Sequence, residues 1–243
     1  MSMHRFFVEP DQIKGTRVLF SPDVSHQIVR VLRLKSEVTI IVLNNEGMQF
    51  EVKLVKLDPQ QCEGEILQTQ VVDTEPKIRL HLIVALAQRD KFEWILQKCC
   101  ELGIHTITPM LTERSLVMKT MDFHKKQERW KRILKEAAEQ SHRGRIPELR
   151  SPIHFDQALQ ETGGWCLIAW ENEQRQRLMD VFDGENSKDI AVMVGPEGGF
   201  SEQEIQAAVL LGWKPFSMGK RILRMETAAI VACALVFQLS GDI

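Results

Sequence analysis

The chain has 243 residues, 44% hydrophobic and 26% charged, which is enough apolar material for a sizeable core and excludes a disordered polymer. Thirty-one Lys and Arg against 33 Asp and Glu leave a net charge of −2, which excludes a polybasic nucleic-acid binder but not a local basic patch. Tyrosine is absent, so no phenol serves as acid, base or nucleophile, and five cysteines without a CxxC pair argue against a disulfide framework or a structural zinc site. In chain order, residues 1–72 read as short strands. Val24–Leu32 reads as a helix entered through Ser21. Val38–Leu43 and Met48–Val55 read as two strands around the turn Asn44–Gly47, the second alternating at period two. The polar joint Asp73–Pro76 holds a proline and is the expected linker, giving domains of 1–72 and 77–243.

Beyond the joint the pattern changes to strands alternating with helices. Ile78–Leu86 is an almost continuous apolar strand. Asp90–Leu102 has apolar residues at helical spacing and ends at Gly103, as a C-terminal cap would. Ile104–Pro109 is a second strand, and a long helix runs from about Asp122 to Ser141. Cys166–Trp170, Ile190–Val194 and Pro215–Met218 read as further buried strands, and Glu226–Leu239 as a final helix apolar nearly all round. The expectation is an α/β domain with a mainly parallel sheet. The longest apolar run is the ten residues Ala228–Phe237, short of the roughly 18 that a membrane span needs. Met1–Phe7 lacks the order of a signal peptide, so a soluble, cytoplasmic protein is expected.

Charge is uneven. Lys119–Arg150 carries a net +5 and Ser151–Ala207 a net −8. The basic stretch fits either a solvated helix face or a phosphate-facing surface, and Arg143-Gly144-Arg145 favours the second. Two loops could carry chemistry. Gly195-Pro196-Glu197-Gly198-Gly199 follows a buried strand and leads to Ser201 and Glu204, spaced as a capping box. Its glycines allow a ligand close to the backbone, although a merely tight turn would also use two of them. The loop is neither GxGxxG nor a P-loop, so it does not indicate a dinucleotide or a nucleoside triphosphate. The second, Phe216–Ala228, carries a glycine loop into a buried helix and places Arg221, Arg224 and Glu226 between apolar residues. That placement fits a reactive site, or an Arg224–Glu226 pair capping the helix.

Gly195–Gly199 together with Leu223–Ala228 resembles the bacterial 16S ribosomal RNA uridine N3-methyltransferases, of the knotted SPOUT superfamily. The resemblance extends over the whole chain, through Arg5–Phe7, His26, Val31–Arg33, Lys98, Glu101–Gly103, Pro109, Glu113–Ser115, Glu139–Ser141, Arg143 and Ile146-Pro147. It implies a small PUA-like β-rich barrel that binds RNA, followed by a methyltransferase domain whose C-terminal segment forms a trefoil knot around S-adenosylmethionine. By the same resemblance, Gly195, Pro196, Glu197, Gly198, Gly199, Met218, Gly219, Ile222 and Leu223 enclose the cofactor, and no metal is involved. The chemistry of an imide nitrogen asks for a cationic group near its carbonyl oxygens, a role given to Arg224, with Glu226 orienting it or the base; no dedicated general base is identified, water and Glu197 being the candidates. Arg5, His26, Arg33, Arg143 and Arg145 face RNA, the substrate being 16S rRNA in the 30S subunit and the protein a homodimer joined through its last helix. Ribose-methylating relatives end their last motif in Ser-Leu-Asn where this chain reads Ile222-Leu223-Arg224, which puts base methylation ahead of 2′-O-methylation. A non-catalytic RNA-binding protein with the same fold is the reading from another class.

Overall fold

The computed structural model describes residues 3–115, 123–160, 164–182 and 187–243. The chain divides into two compact units, 1–75 with 138–146, and 76–137 with 147–243. The first unit is built on β1 (Arg5–Phe7), β2 (Ile13–Lys14), β3 (Arg17–Leu19), β4 (Thr39–Leu43), β5 (Met48–Lys56) and β6 (Glu63–Val71), in the order β1-β4-β5-β6-β3-β2. Alternation in β5 buries Val52 and Leu54 and leaves the residues between them half-exposed, as period two requires. Val52 and Leu54 join Phe6, Val18, Phe20, Ile28, Ile40 and Val42 in one apolar core. The edge strands β1 and β2 are not paired with each other, and the unit is a curled sheet.

The helix expected at 24–32 has two parts. Helix α1 (Pro22–His26) is capped by the Ser21 hydroxyl accepting from Val24 N, and Gln27–Val31 then widens into a π-turn. Wide turns of this kind recur at functional sites. Arg33 follows with a left-handed φ of 52°, unusual for a residue with a Cβ.

The second unit runs β7 (Arg79–Ala85), α2 (Arg89–Leu102), β8 (Thr106–Leu111), α3 (Phe123–Gln140), β9 (Glu148–Leu149), β10 (Ile153–His154), α4 (Phe155–Ala158), β11 (Trp165–Ala169), α5 (Leu178–Val181), β12 (Asp189–Val194), α6 (Glu202–Leu210), β13 (Lys214–Phe216) and α7 (Met225–Leu239), the last three residues of α3 belonging to the first unit. The start expected for α3, at Asp122, lies outside the described residues. The strand order is β10-β8-β7-β12-β11-β13, with β9 on β8, and every pairing is parallel. Burial on both faces explains why β7 and β12 read as nearly continuous apolar runs. Gly103 ends α2 with φ 107°, its N–H returning to Cys99 O and Cys100 O.

Helix α7 is apolar nearly all round because its own chain covers most of it. Met225, Ala228, Ala229, Ala232, Cys233, Val236 and Phe237 are buried. It packs on α2, α5, β7 and β12, and each large side chain buried there contributes about 1.5–3 kcal/mol. Among the described residues no helix is long and apolar enough to cross a membrane. The parallel sheet places the carboxyl ends of β11, β12 and β13 side by side, and the two loops singled out from the sequence leave from β12 and β13.

Candidate functional site

The loop after β12 is held in shape from both sides. Ser201 caps α6 by accepting from Glu204 N (3.2 Å), and the Glu204 carboxylate returns to Ser201 N (2.8 Å). The same carboxylate reaches Glu113 N, 3.0 Å away on the loop after β8, and is only 9% exposed. Beside it Arg114 Nη1 donates to Gly198 O (3.0 Å) and Phe200 O (3.5 Å). Gly199 has φ +67°, and a Cβ placed there would fall on the Glu171 carboxylate. Gly195 is required for a different reason. Its φ is not in the left-handed region, but a Cβ there would meet the Phe200 ring at 2.9 Å.

The second loop continues from β13. Ser217 Oγ accepts from Gly219 N (3.2 Å), and Ser217 N is fixed to Gln176 O (2.8 Å). Gly219 adopts φ +107° with open space on its Cβ side. Arg224 is the N-cap residue of α7, with extended backbone and its carbonyl accepting from Ala228 N.

Between the loops lies a cavity of about 380 Å³, lined by Ala169, Trp170, Glu171, Val194, residues 195–199 and 217–225, and Ala228. The expected Gly195, Pro196, Glu197, Gly198, Gly199, Met218, Gly219, Ile222, Leu223 and Arg224 are thus brought together. Ile222 lines the cavity from its rim, with 87% of its surface exposed. Glu226 lies outside the lining and is half-buried, and its Oε2 has no hydrogen-bond partner. Arg224 is exposed and makes no ion pair with Glu226, so the helix-capping pair is not formed.

Lys91, in the first turn of α2, bonds Glu197 Oε1 at 2.7 Å. That bond holds the Glu197 carboxyl below its usual range and raises the lysine, which also feels the charges of Glu226 and Arg224. Lys91, Trp170 and Glu171 are site residues that reading the sequence misses. The middle signature Glu113–Ser115 contains Arg114 but gives it no role, whereas Lys98, the lysine singled out on α2, pairs with Glu101 on its own helix at 2.8 Å.

The wall chemistry limits the ligand. The glycine loop offers backbone groups and carboxylates with no cation to clamp phosphate, and Ala169, Val194, Leu223 and Ala228 offer apolar surface. The Trp170 indole N–H is buried without a partner among the described residues, a donor that an acceptor drawn into the wall would satisfy. A flat heterocycle with a polar edge fits the glycine-loop side of the cavity, the cations of the lining, Lys220, Arg221 and Arg224, standing on the second loop.

The residues expected to face RNA lie in the first unit. His26 and Arg33 are exposed on either side of the π-turn, and Arg5 is half-buried and donates to Gln49 Oε1 (3.1 Å). Arg145 is exposed, with Nη2 donating to Glu46 O (2.8 Å). Arg143 departs from the expectation. It is 4% exposed, and its Nη2 bonds Glu75 Oε2 at 2.7 Å, so its guanidinium is committed inside the unit. Glu75 also accepts from Gly144 N (3.0 Å) and Arg145 N (3.2 Å), which makes Arg143-Gly144-Arg145 a docked turn instead of a loose basic tail.

Comparison with known proteins agrees with this geometry. Residues 74–237 match the family described as RNA methyltransferase domain. The ribosomal RNA small subunit methyltransferase E of Mesomycoplasma hyopneumoniae is 33% identical over 228 residues, covering 94% of this chain and 96% of the relative. The protein of the same name from Bacillus subtilis is 30% identical, with 96% of each chain covered. A crystal structure of ribosomal RNA small subunit methyltransferase E from Neisseria gonorrhoeae, bound to S-adenosyl methionine, superposes with a TM-score of 0.90 at 32% identity over 98% of each chain.

Proposed function

The chain belongs to the ribosomal RNA small subunit methyltransferase E family, and from that premise we propose that it methylates N3 of a uridine in 16S rRNA, using S-adenosylmethionine. One observation supports this reading above the others: a glycine-lined cavity with Arg224, exposed and in no ion pair among the described residues, where its wall meets the start of α7. The residues present suit the cofactor. Gly195–Gly199 and Met218–Leu223 would hold it through backbone groups and apolar side chains, and the orphaned Trp170 N–H would gain an acceptor. In this proposal the two loops belong to the trefoil knot that the SPOUT resemblance implies. When bound, S-adenosylmethionine supplies an electrophilic methyl group whose sulfur keeps the bonding pair.

The protein's own contribution is electrostatic and positional. Uracil N3 is an imide nitrogen that must lose its proton before or during attack, leaving charge on the flanking carbonyl oxygens. Arg224 stabilises that charge, as donors do in an oxyanion hole. Glu226 does not pair with Arg224 and stands half-buried just beyond the cavity lining, with one oxygen unpartnered among the described residues, so it would orient the base or take the proton through water. Glu197 is a weaker base, because its hydrogen bond from Lys91 lowers its pKa and occupies one of its oxygens. Arg5, His26, Arg33 and Arg145 contribute RNA contacts, and Arg143 acts through Glu75 to present Arg145. The same reading places the enzyme in the cytoplasm as a homodimer, with the outer side of α7, where Leu235 and Leu239 are exposed, contributing the interface.

The deciding experiment is incubation of 30S subunits with methyl-labelled donor, followed by nucleoside analysis. Label in 3-methyluridine is the expected result. Label in a 2′-O-methyl nucleoside would make this a ribose methyltransferase, and RNA binding without label would make it a non-catalytic RNA-binding protein.

A further inference from the structure

We propose that Glu171 is the residue by which this site distinguishes the methyl donor from the spent product, a proposal that rests on the methyltransferase reading above. Glu171 stands just beyond β11, on the cavity wall, and its carboxylate lies where a side chain on Gly199 would begin. The left-handed backbone of Gly199 makes room for it. The carboxylate is exposed and has no hydrogen-bond or ion-pair partner among the described residues. The other carboxylate on the wall, Glu197, is matched by Lys91 at 2.7 Å. The cations of the lining, Lys220, Arg221 and Arg224, all belong to the second loop and are exposed. Glu171 is therefore the one lining carboxylate, among the described residues, whose charge no ion pair offsets.

The chemistry of the two ligands gives that charge a use. S-adenosylmethionine and S-adenosylhomocysteine share the adenine, the ribose hydroxyls, the ammonium and the carboxylate. They differ by one methyl group and by the positive charge on sulfur. Backbone groups of a glycine loop and apolar side chains touch mainly what the two have in common, so they bind donor and product alike. An uncompensated carboxylate on the wall favours the ligand carrying the extra positive charge, and the preference ends when the methyl group leaves. Between groups in a solvent-connected cavity, the attraction is worth about a fivefold difference in affinity. The functional consequence is weaker retention of product, and so less inhibition by it.

Calorimetric titration of the whole protein with each ligand, at low and high salt, tests this without an assay of activity. The wild type should prefer donor to product, and added salt should erode that preference. In Glu171→Gln, donor affinity should fall about fivefold while product affinity stays unchanged. Equal losses for both ligands would mean that Glu171 binds a shared group such as the ribose, and an unchanged ratio would mean that it reads neither; either result overturns the proposal. Should the variant fail to fold, a wild-type preference insensitive to salt overturns it alone. A wild type that binds neither ligand refutes the methyltransferase reading itself, and is recognised before any variant is made.

Discussion

At the scale of single residues, the proposed roles divide between groups that would hold the ligands and two, Arg224 and Glu226, that would act on the reacting base. Arg224 makes no ion pair among the described residues, so its guanidinium is available for charge that develops on a base. Replacing it with Ala should lower the single-turnover rate about a hundredfold, the usual worth of one such donor, and change donor and RNA affinity by no more than about twofold. Rapid mixing at saturating RNA, with parallel binding titrations, measures both. Lost RNA affinity at an unchanged rate would make Arg224 a phosphate anchor. The residues around it were unequally legible in the sequence. Glycine density, a preceding apolar strand and a capping box are local signals, and they located Gly195–Gly199 correctly at a strand-to-helix turn. Glu171 and Lys91 carry no local signal: each is a charged residue near an element end, like many others, and only the order of the parallel strands brings Glu171 to the cavity and Lys91 to Glu197 on its wall.

At the scale of elements, the loop after β12 depends on the loop after β8. Arg114 spans 84 residues of sequence to reach Gly198 O, and periodicity cannot foresee such a bond, which exists because β7 and β12 pair between the two loops. A hydrogen bond from a charged donor contributes about 1.5–3 kcal/mol, so Arg114→Ala should raise the donor dissociation constant about tenfold or more while leaving the rate at saturating donor nearly intact. Calorimetry and saturation kinetics check the two halves. Strand β7 carries a second testable group. His81 bonds Thr108 Oγ1 at 2.7 Å, and burial, aided by Arg150 and His105, lowers its pKa to about 4. The unfolded chain binds this proton near pH 6.5 and the folded protein only near pH 4, so the stabilising contribution is complete above about pH 6.5 and is lost as pH falls through that window. The loss should reach at most about 3 kcal/mol, seen as a fall in urea midpoint between pH 7 and 4 that is smaller in His81→Gln. An equal fall in both proteins would clear His81 of the effect.

At the scale of the whole molecule, the chain leaves the first unit at Glu75 and comes back to it at Ala138. The returning segment supplies groups that the first unit lacks alone: Glu139 Oε1 accepts from Phe7 N (3.0 Å), Ile146 N donates to Asn45 Oδ1 (2.7 Å), and Arg143 pairs with Glu75. Net charge along 119–150 could not reveal this, because a buried clamp and a solvated basic face have the same composition. The consequence is a division of labour between two arginines one residue apart. Arg143→Met should cost about 3–5 kcal/mol, since it leaves the Glu75 carboxylate partly buried and unpaired, and a second change, Glu75→Gln, should return part of that loss. The salt dependence of RNA binding should stay unchanged wherever Arg143→Met remains folded. Arg145→Ala should instead be close to neutral for stability and lower the salt slope by about one, as loss of a single phosphate contact does. Urea denaturation of the four variants (Arg143→Met, Glu75→Gln, their double and Arg145→Ala) and RNA titrations at two salt concentrations read both quantities. If Arg143→Met were as stable as the wild type and flattened the slope, the turn would be an RNA-facing tail after all. A fragment of residues 1–75 extends the same argument, because it keeps every strand of the curled sheet and loses the partners of Phe7, Asn45 and Glu75. It should therefore show little cooperative unfolding until residues 138–146 are joined back to it through a flexible linker.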